Sequence, residues 1–295
     1  LLLFLQKKKI ASFLRAPDAA KPPARPIDRP SVNRVLLLAV VAVFAVLVGL
    51  VGQLGRPHTG AFAQAADLVG VPGQFQELLS GTGFFIAYDG RLLTAAHVVN
   101  GCERVDIASP TIPPTRVETL MVHPNEDIAL LMARHVVPKA ILRYGGPSQQ
   151  ARRLFVLGYP GDGDLLKASE TWADLANPAF NNPGLDARGA LLMQTEIVTH
   201  GWSGGPVIDP VSGNVVAITR ALPSKAALAR VGGAGLDHIV EAQGAWIIRS
   251  FLEESLTGYI PAFPPATQSA AMAMGRNATV HVFCWRHKAP APQHS

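Results

Sequence analysis

Three short segments carry side chains that could cooperate in acyl transfer. Thr94-Ala95-Ala96-His97-Val98-Val99 offers a histidine, Glu126-Asp127-Ile128-Ala129-Leu130-Leu131 an aspartate, and Gly201-Trp202-Ser203-Gly204-Gly205-Pro206 a serine. A serine hydroxyl is a poor nucleophile until a base takes its proton. A base that titrates near neutral pH is best supplied by histidine. The imidazole must then be held in one tautomer, which a buried carboxylate does well. The chain order His97, Asp127, Ser203 is one of several orders in which this geometry can be assembled.

Each setting suits its role. Ser203 lies between glycines, and Gly201 lets the backbone turn an N–H inward, so that Gly201 and Ser203 together could form an oxyanion hole. Thr94 and two alanines permit close packing behind His97. Asp127 stands at the mouth of an apolar run. Taken singly, a serine in a Gly-rich turn, a histidine in an apolar run and a turn aspartate all have ordinary structural readings. Three of them in the right order favour the chemical one.

The elements that must position these residues read as β-structure. Short apolar runs recur between Gly, Pro, Asn and Asp: Gly83 to Ala87, Arg91 to Thr94, Arg116 to Val122, Ile128 to Met132, Leu154 to Gly158, Leu191 to Thr195 and Val215 to Thr219. Such spacing argues for an all-β barrel or sandwich. Gln243 to Leu256 differs, with Trp246, Ile247, Phe251 and Leu252 on one helical face. After Thr257 the chain turns to Pro, Ala and Ser, and little order is expected from Pro261 onward. Cys102 and Cys284 are the two cysteines, and an exported chain permits a disulfide between them. No Cys/His/Asp grouping has metal-ligand spacing, and no cofactor is implied.

Charge and hydropathy are unevenly spread. Residues 1–56 hold nine Lys/Arg and two acids, which leaves seventeen basic and nineteen acidic residues for the rest of the chain. The alkaline balance therefore belongs to the leader, and without basic and aromatic interleaving a nucleic-acid partner is discarded. Val35 to Gly52 is 18 residues without a charge, ~27 Å as a helix and close to bilayer thickness. Cationic residues precede it, which puts residues 1–34 in the cytoplasm and everything after about residue 53 outside. Ala61-Phe62-Ala63 and Ala63-Gln64-Ala65 look like cleavage sites, but a retained anchor is favoured over a cleaved signal because the apolar run is long.

The segments resemble the trypsin-like (chymotrypsin-fold) serine proteases, especially the bacterial Deg/HtrA-type branch. GTGFFIAYDGRLLTAAHVV is similar to that family's histidine segment, HPNEDIALL to its aspartate segment, and QTEIVTHGWSGGPVID with GNVVAITRA to its nucleophile loop and following strand. The likeness spans roughly residues 75–220. It implies two six-stranded antiparallel β-barrels with the site between them, here with a C-terminal helix and an N-terminal transmembrane helix. It implies His97 as general base, Asp127 as its orienter, Ser203 as nucleophile and Gly201 as an oxyanion donor. The expected plan is a basic disordered segment (1–34), a transmembrane anchor or signal helix (35–52), a linker (53–73), a protease domain (74–256) and a flexible tail (257–295). The expected activity is endopeptidase action on exported polypeptides from a membrane-anchored, periplasmic domain.

Several departures carry consequences. Trp202 cannot form the ion pair that an aspartate before the serine makes in zymogen-activated relatives, so activity is expected without precise N-terminal cleavage. The tail lacks the length and pattern of the peptide-binding domain that Deg-type proteins carry. The resemblance makes Ile197, Val198 and Ala217, Ile218 and Thr219 the substrate-binding lining, which favours a small or medium apolar side chain before the cleaved bond. Thr199, His200 and Arg220 point instead to an acidic one. Two rival functions stand beside the peptidase: an esterase, since GWSGG also fits the nucleophile elbow of α/β-hydrolases, and a protease-fold binding or sensor protein without turnover.

Overall fold

The structure is a computed structural model that describes residues 65–146, 148, 153–175, 190–195, 198–220, 239–255, 257 and 267–288. They fall within one unit, residues 58–295. The expected membrane helix over 35–52 lies outside the described residues, and among these no helix is long and apolar enough to cross a membrane.

The first barrel combines β1 (Phe75–Phe85), β2 (Arg91–Thr94), β3 (Arg104–Ser109), β4 (Ile112–Val122), β5 (Ala129–Met132) and β13 (Thr279–His287), closed in the order β1-β13-β3-β4-β5-β2. The second holds β7 (Arg153–Gly158), β8 (Ser169–Leu175), β9 (Ala190–Gln194), β10 (Pro206–Ile208), β11 (Asn214–Thr219) and β12 (Ile239–Gly244). It runs β10-β7-β8-β9-β12-β11 and is closed by pairing of β10 with β11. The short β6 (Arg143–Tyr144) adds to β11 in parallel; the pairings within both rings are antiparallel.

Turn chemistry sets the hairpins. Between β1 and β2, Asp89 accepts from the Arg91 N–H at 3.2 Å, and Gly90 takes φ +96°, a conformation that favours glycine. Between β10 and β11, the Asp209 carboxylate accepts from Val211 N–H at 2.8 Å and from the Ser212 hydroxyl at 2.8 Å. Each barrel then buries its own apolar set. Val105, Ile107, Val117, Leu131, Val280 and Val282 fill the first, and Val156, Met193, Trp202, Val207, Val216 and Val240 the second. A further cluster, with Phe84, Leu93, Phe155, Ile218 and Phe251, joins strands of both rings. Each such fully buried side chain stabilises by about 1.5–3 kcal/mol.

The predicted terminal helix is α3 (Ala245–Glu254), after a short helix α1 (65–69) and α2 (Ala96–Val99). Its buried face is Ile247, Ile248, Phe251 and Leu252, whereas Trp246 is 45% exposed. The helical turn therefore places Ile248, not Trp246, on the core.

The expectation of a flexible tail from 257 is overturned for residues 267–288. Thr267 caps α4 (Gln268–Ala278), its hydroxyl accepting from Ala270 N–H at 3.2 Å. Gly275 lets α4 lie against the second barrel, where a Cβ would sit 2.7 Å from Ile208 Cδ1. β13 then inserts between β1 and β3 as the sixth strand of the first barrel. It is buried on both faces: Val280 and Val282 face the barrel interior cluster, while Phe283 and Trp285 pack beside Ala65 and Val69 of α1. Cys102 and Cys284 form a disulfide that ties this strand to the loop after α2.

Candidate active site

The histidine stands where β2 turns into α2. Ala95 precedes the helix in extended conformation, so the His97 N–H has no partner within the helix and donates to Asp127 Oδ1 at 2.8 Å. Asp127 closes the loop between β4 and β5. Its Oδ2 lies 2.7 Å from His97 Nδ1. An ionised carboxylate only accepts, which assigns the proton to Nδ1 and leaves Nε2 as the basic ring nitrogen. The Asp127 side chain is 9% exposed and that of His97 45%. Burial works against the Asp127 charge, but the hydrogen bonds from His97 and the pull of His97 and Arg220 outweigh it and hold the carboxyl below its ordinary value.

The serine segment lies against this pair. Thr82 in β1 is the joint. Its N–H donates to the Ser203 carbonyl at 2.8 Å, and its hydroxyl donates to the Gly201 carbonyl at 2.7 Å. The same hydroxyl accepts from Tyr159 N–H at 2.8 Å, and the Thr94 hydroxyl donates to the Thr82 carbonyl at 2.7 Å. Gly204, at φ +89°, brings the loop so close that a Cβ would overlap the Thr82 carbonyl oxygen and sit 2.7 Å from Ala95 N. Ser203 therefore stands beside the segment that carries His97, and the serine itself is nearly buried.

The peptides that carry the N–H groups of Gly201 and Ser203 are pinned by their carbonyls. His200 O accepts from Gly161 N–H at 2.9 Å, and Trp202 O accepts from Gly205 N–H at 2.9 Å. In a trans peptide the N–H points opposite to the carbonyl. The N–H groups of Gly201 and Ser203 are thus each turned away from a fixed partner. Gly201 holds φ +94°, and a Cβ there would overlap the Tyr159 carbonyl oxygen. Two oriented backbone donors next to a serine are what an oxyanion hole requires.

The proposed substrate lining fares unevenly. Ile197 lies outside the described residues. Ala217 and Ile218 are fully buried among apolar side chains, Ala217 near Trp202 and Val207, and Ile218 near Leu93 and Phe251. Their backbones pair with β10 and β12. These two therefore serve the packing and not an open pocket. Val198 is half-buried against the second barrel, and the buried Thr219 hydroxyl has no partner among the described residues. Trp202 is wholly buried in the second barrel, stacked so tightly on Gly158 that a Cβ there would lie 2.5 Å from its ring.

After Ser203 the chain enters strand β10, not the helix that a nucleophile elbow demands, which removes the α/β-hydrolase reading. Among the described residues no group of His, Cys, Asp and Glu could hold a metal. A groove of about 610 Å³ lies elsewhere, on the wall of the first barrel between Glu103, Arg116 and Arg134. Sequence reasoning missed Thr82 and Gln243, treated below. Thr82 does fall within the histidine-segment motif, but nothing local marks its hydroxyl as the joint to the serine loop.

Two six-stranded barrels with this site between them define a chymotrypsin-type architecture. Residues 81–218 match the sequence model of the trypsin-like peptidase domain, and this part of the chain is such a domain. It is homologous to the serine protease Rv3671c of Mycobacterium tuberculosis strain H37Rv, with 31% identity over 147 residues, 48% of this chain and 36% of that protein. The chain thus spans about a third of the length of this curated relative. The crystal structure of the active form of Rv3671c matches at TM-score 0.47 and 24% identity, over 63% of this chain and 76% of that one. The HtrA-type protease AlgW with a decapeptide matches at 0.44 and 22%, over 60% and 51%.

Proposed function

We propose that this chain is a serine endopeptidase. Ser203 attacks the scissile carbonyl, His97 Nε2 takes the Ser203 proton and later delivers it to the leaving amine, and Asp127 holds the imidazole and balances its charge. The N–H groups of Gly201 and Ser203 receive the oxyanion of each tetrahedral intermediate. The acyl-enzyme on Ser203 is then hydrolysed by water through the same His97. One observation carries the reading: a nearly buried carboxylate grips both the backbone and Nδ1 of His97, beside a serine whose flanking carbonyls are pinned.

Substrates are polypeptides, taken from exported proteins if residues 35–52 anchor the chain and the barrels stand in the periplasm. Val198 contributes to the pocket for the residue before the cleaved bond, which is apolar and of small or medium size. The burial of Trp202 fits activity without a newly cut N-terminus. The silent binding or sensor protein is separated from the peptidase by one experiment. The full chain is treated with a fluorophosphonate probe and with labelled casein, beside Ser203→Ala. Labelling at Ser203 and casein cleavage, both lost in the alanine form, support the peptidase. A folded wild-type chain that takes up no probe overturns it.

A further inference from the structure

Two side chains of the second barrel reach across to the acid of the first, and the peptidase reading gives neither a task. Gln243 of β12 is buried. With its amide oriented by the hydrogen-bond network, its nitrogen donates to the Asp127 carbonyl at 3.1 Å and its oxygen accepts from Asp127 N–H at 2.7 Å. A side chain thus completes a ladder rung with the backbone of Asp127. Arg220, the residue after β11, places Nε 3.4 Å from Asp127 Oδ2 and Nη1 3.6 Å from Glu241 Oε1. The guanidinium is therefore engaged by one carboxylate from each barrel. Among the described residues, the charged groups around the pair are His97 on α2, Glu126 beside Asp127, Arg220 after β11 and Glu241 on β12.

We propose that Gln243 and Arg220 are positioning residues for Asp127: Gln243 fixes where the acid stands, and Arg220 fixes its carboxylate while setting a permanent cation next to the His97–Asp127 pair. This rests on His97, Asp127 and Ser203 forming the triad. The cation has a sign. As Ser203 gives up its proton, His97 becomes an imidazolium, and a guanidinium against the same carboxylate oxygen disfavours that charge. Removing the guanidinium favours the protonated ring, so the base is lost at higher pH. Charges roughly 6 Å apart in a half-solvated setting are worth about half to one pH unit. A neutral residue that merely supported the fold would leave the pH profile where it is.

The test is the second-order rate of fluorophosphonate labelling of Ser203 in the full chain from pH 5 to 9. Arg220→Gln moves the acid limb up by about half to one unit, and Arg220→Lys, which keeps the charge, stays near wild type. Gln243→Met lowers the plateau roughly tenfold without moving the limb, because it loosens the acid and leaves the charges in place. Arg220 is exposed enough that its variants test the inference even where Gln243→Met fails to fold. An Arg220→Gln limb that coincides with wild type overturns the proposal, as does a folded Gln243→Met with an unchanged plateau. Absence of Ser203 labelling in the wild type is a different result: it removes the triad itself.

Discussion

Thr82→Val tests whether the first barrel holds the serine loop in its working shape. The substitution keeps the branched shape and deletes one hydroxyl. That hydroxyl donates to the Gly201 carbonyl at 2.7 Å and accepts from Tyr159 N–H at 2.8 Å. Both groups are then left unpaired in a buried place. At about 1–3 kcal/mol for each orphaned group, the expected loss is about 2–6 kcal/mol, less whatever relaxation recovers. Part of this falls on stability and part on the Gly201 peptide, whose N–H must meet the oxyanion. If ~1.4–2.8 kcal/mol of it reaches the transition state, acylation slows about 10- to 100-fold. The assay pairs the fluorophosphonate labelling rate at neutral pH with a thermal melt, and Thr82→Ser serves as the rescue because it restores the hydroxyl. A Thr82→Val chain that melts lower yet labels Ser203 within about twofold of wild type would refute the reasoning, since the bond would then serve the fold alone.

Asp127→Asn keeps the shape and loses the charge, so His97 is released to the wrong tautomer; casein turnover should fall by about 10³- to 10⁴-fold with little change in melting. Replacing both Cys102 and Cys284 by alanine opens a connection between residues 182 apart in sequence, and urea unfolding should show a loss of up to about 5 kcal/mol. Two buried groups give stability opposing pH slopes. Burial holds the His281 imidazole down to about 4 against a backbone hydrogen bond to Leu165, and burial pushes the Glu77 carboxyl up to about 7 against a hydrogen bond from Ser80. The His281 contribution is complete above pH 6.5 and is lost as pH falls toward 4; that of Glu77 is complete below pH 4.5 and is lost as pH rises through 7. Each is worth about 3 kcal/mol, so Glu77→Gln should melt level with wild type at pH 4.5 and above it at pH 8. Equal melts at both values would remove the argument.

What could be read from the sequence was local. His97, Asp127 and Ser203 each sit in a short stretch whose neighbours point to the proposed role: small residues behind the ring, an apolar run after the acid, glycines around the serine. Gly201 was legible for the same reason, since a backbone that must approach Tyr159 so closely tolerates no Cβ. Thr82 and Gln243 were not, because their partners lie far along the chain: Thr82 meets Gly201 119 residues later. Ala217 and Ile218 were assigned to a pocket through the family resemblance, which does not reveal that strands on both sides and apolar side chains enclose them. The helix after β12 was legible in type, but Ile248 and not Trp246 is buried, because three consecutive large apolar residues, Trp246 to Ile248, leave the helical face ambiguous.

The larger misreading, the tail, has a physical cause that bears on the site. A strand buried on both faces shows no alternation, and α4 docks through Ala271, Gly275 and Ala278, which carry little hydropathic signal. Yet β13 is what closes the first barrel. Thr82, which pins the serine loop, pairs in register with His281 of β13, and His281 Nδ1 in turn meets the Leu165 carbonyl, six residues past Tyr159. The matched family segment, residues 81–218, contains all three motifs together with Thr82, Tyr159 and Leu165, but neither α4 nor β13. Without β13, the edges of β1 and β3 would lie open, and β1 would hold Thr82 from one side only. A fragment ending at residue 256 keeps the histidine, the acid and the serine, and loses the strand that fixes the distance between them.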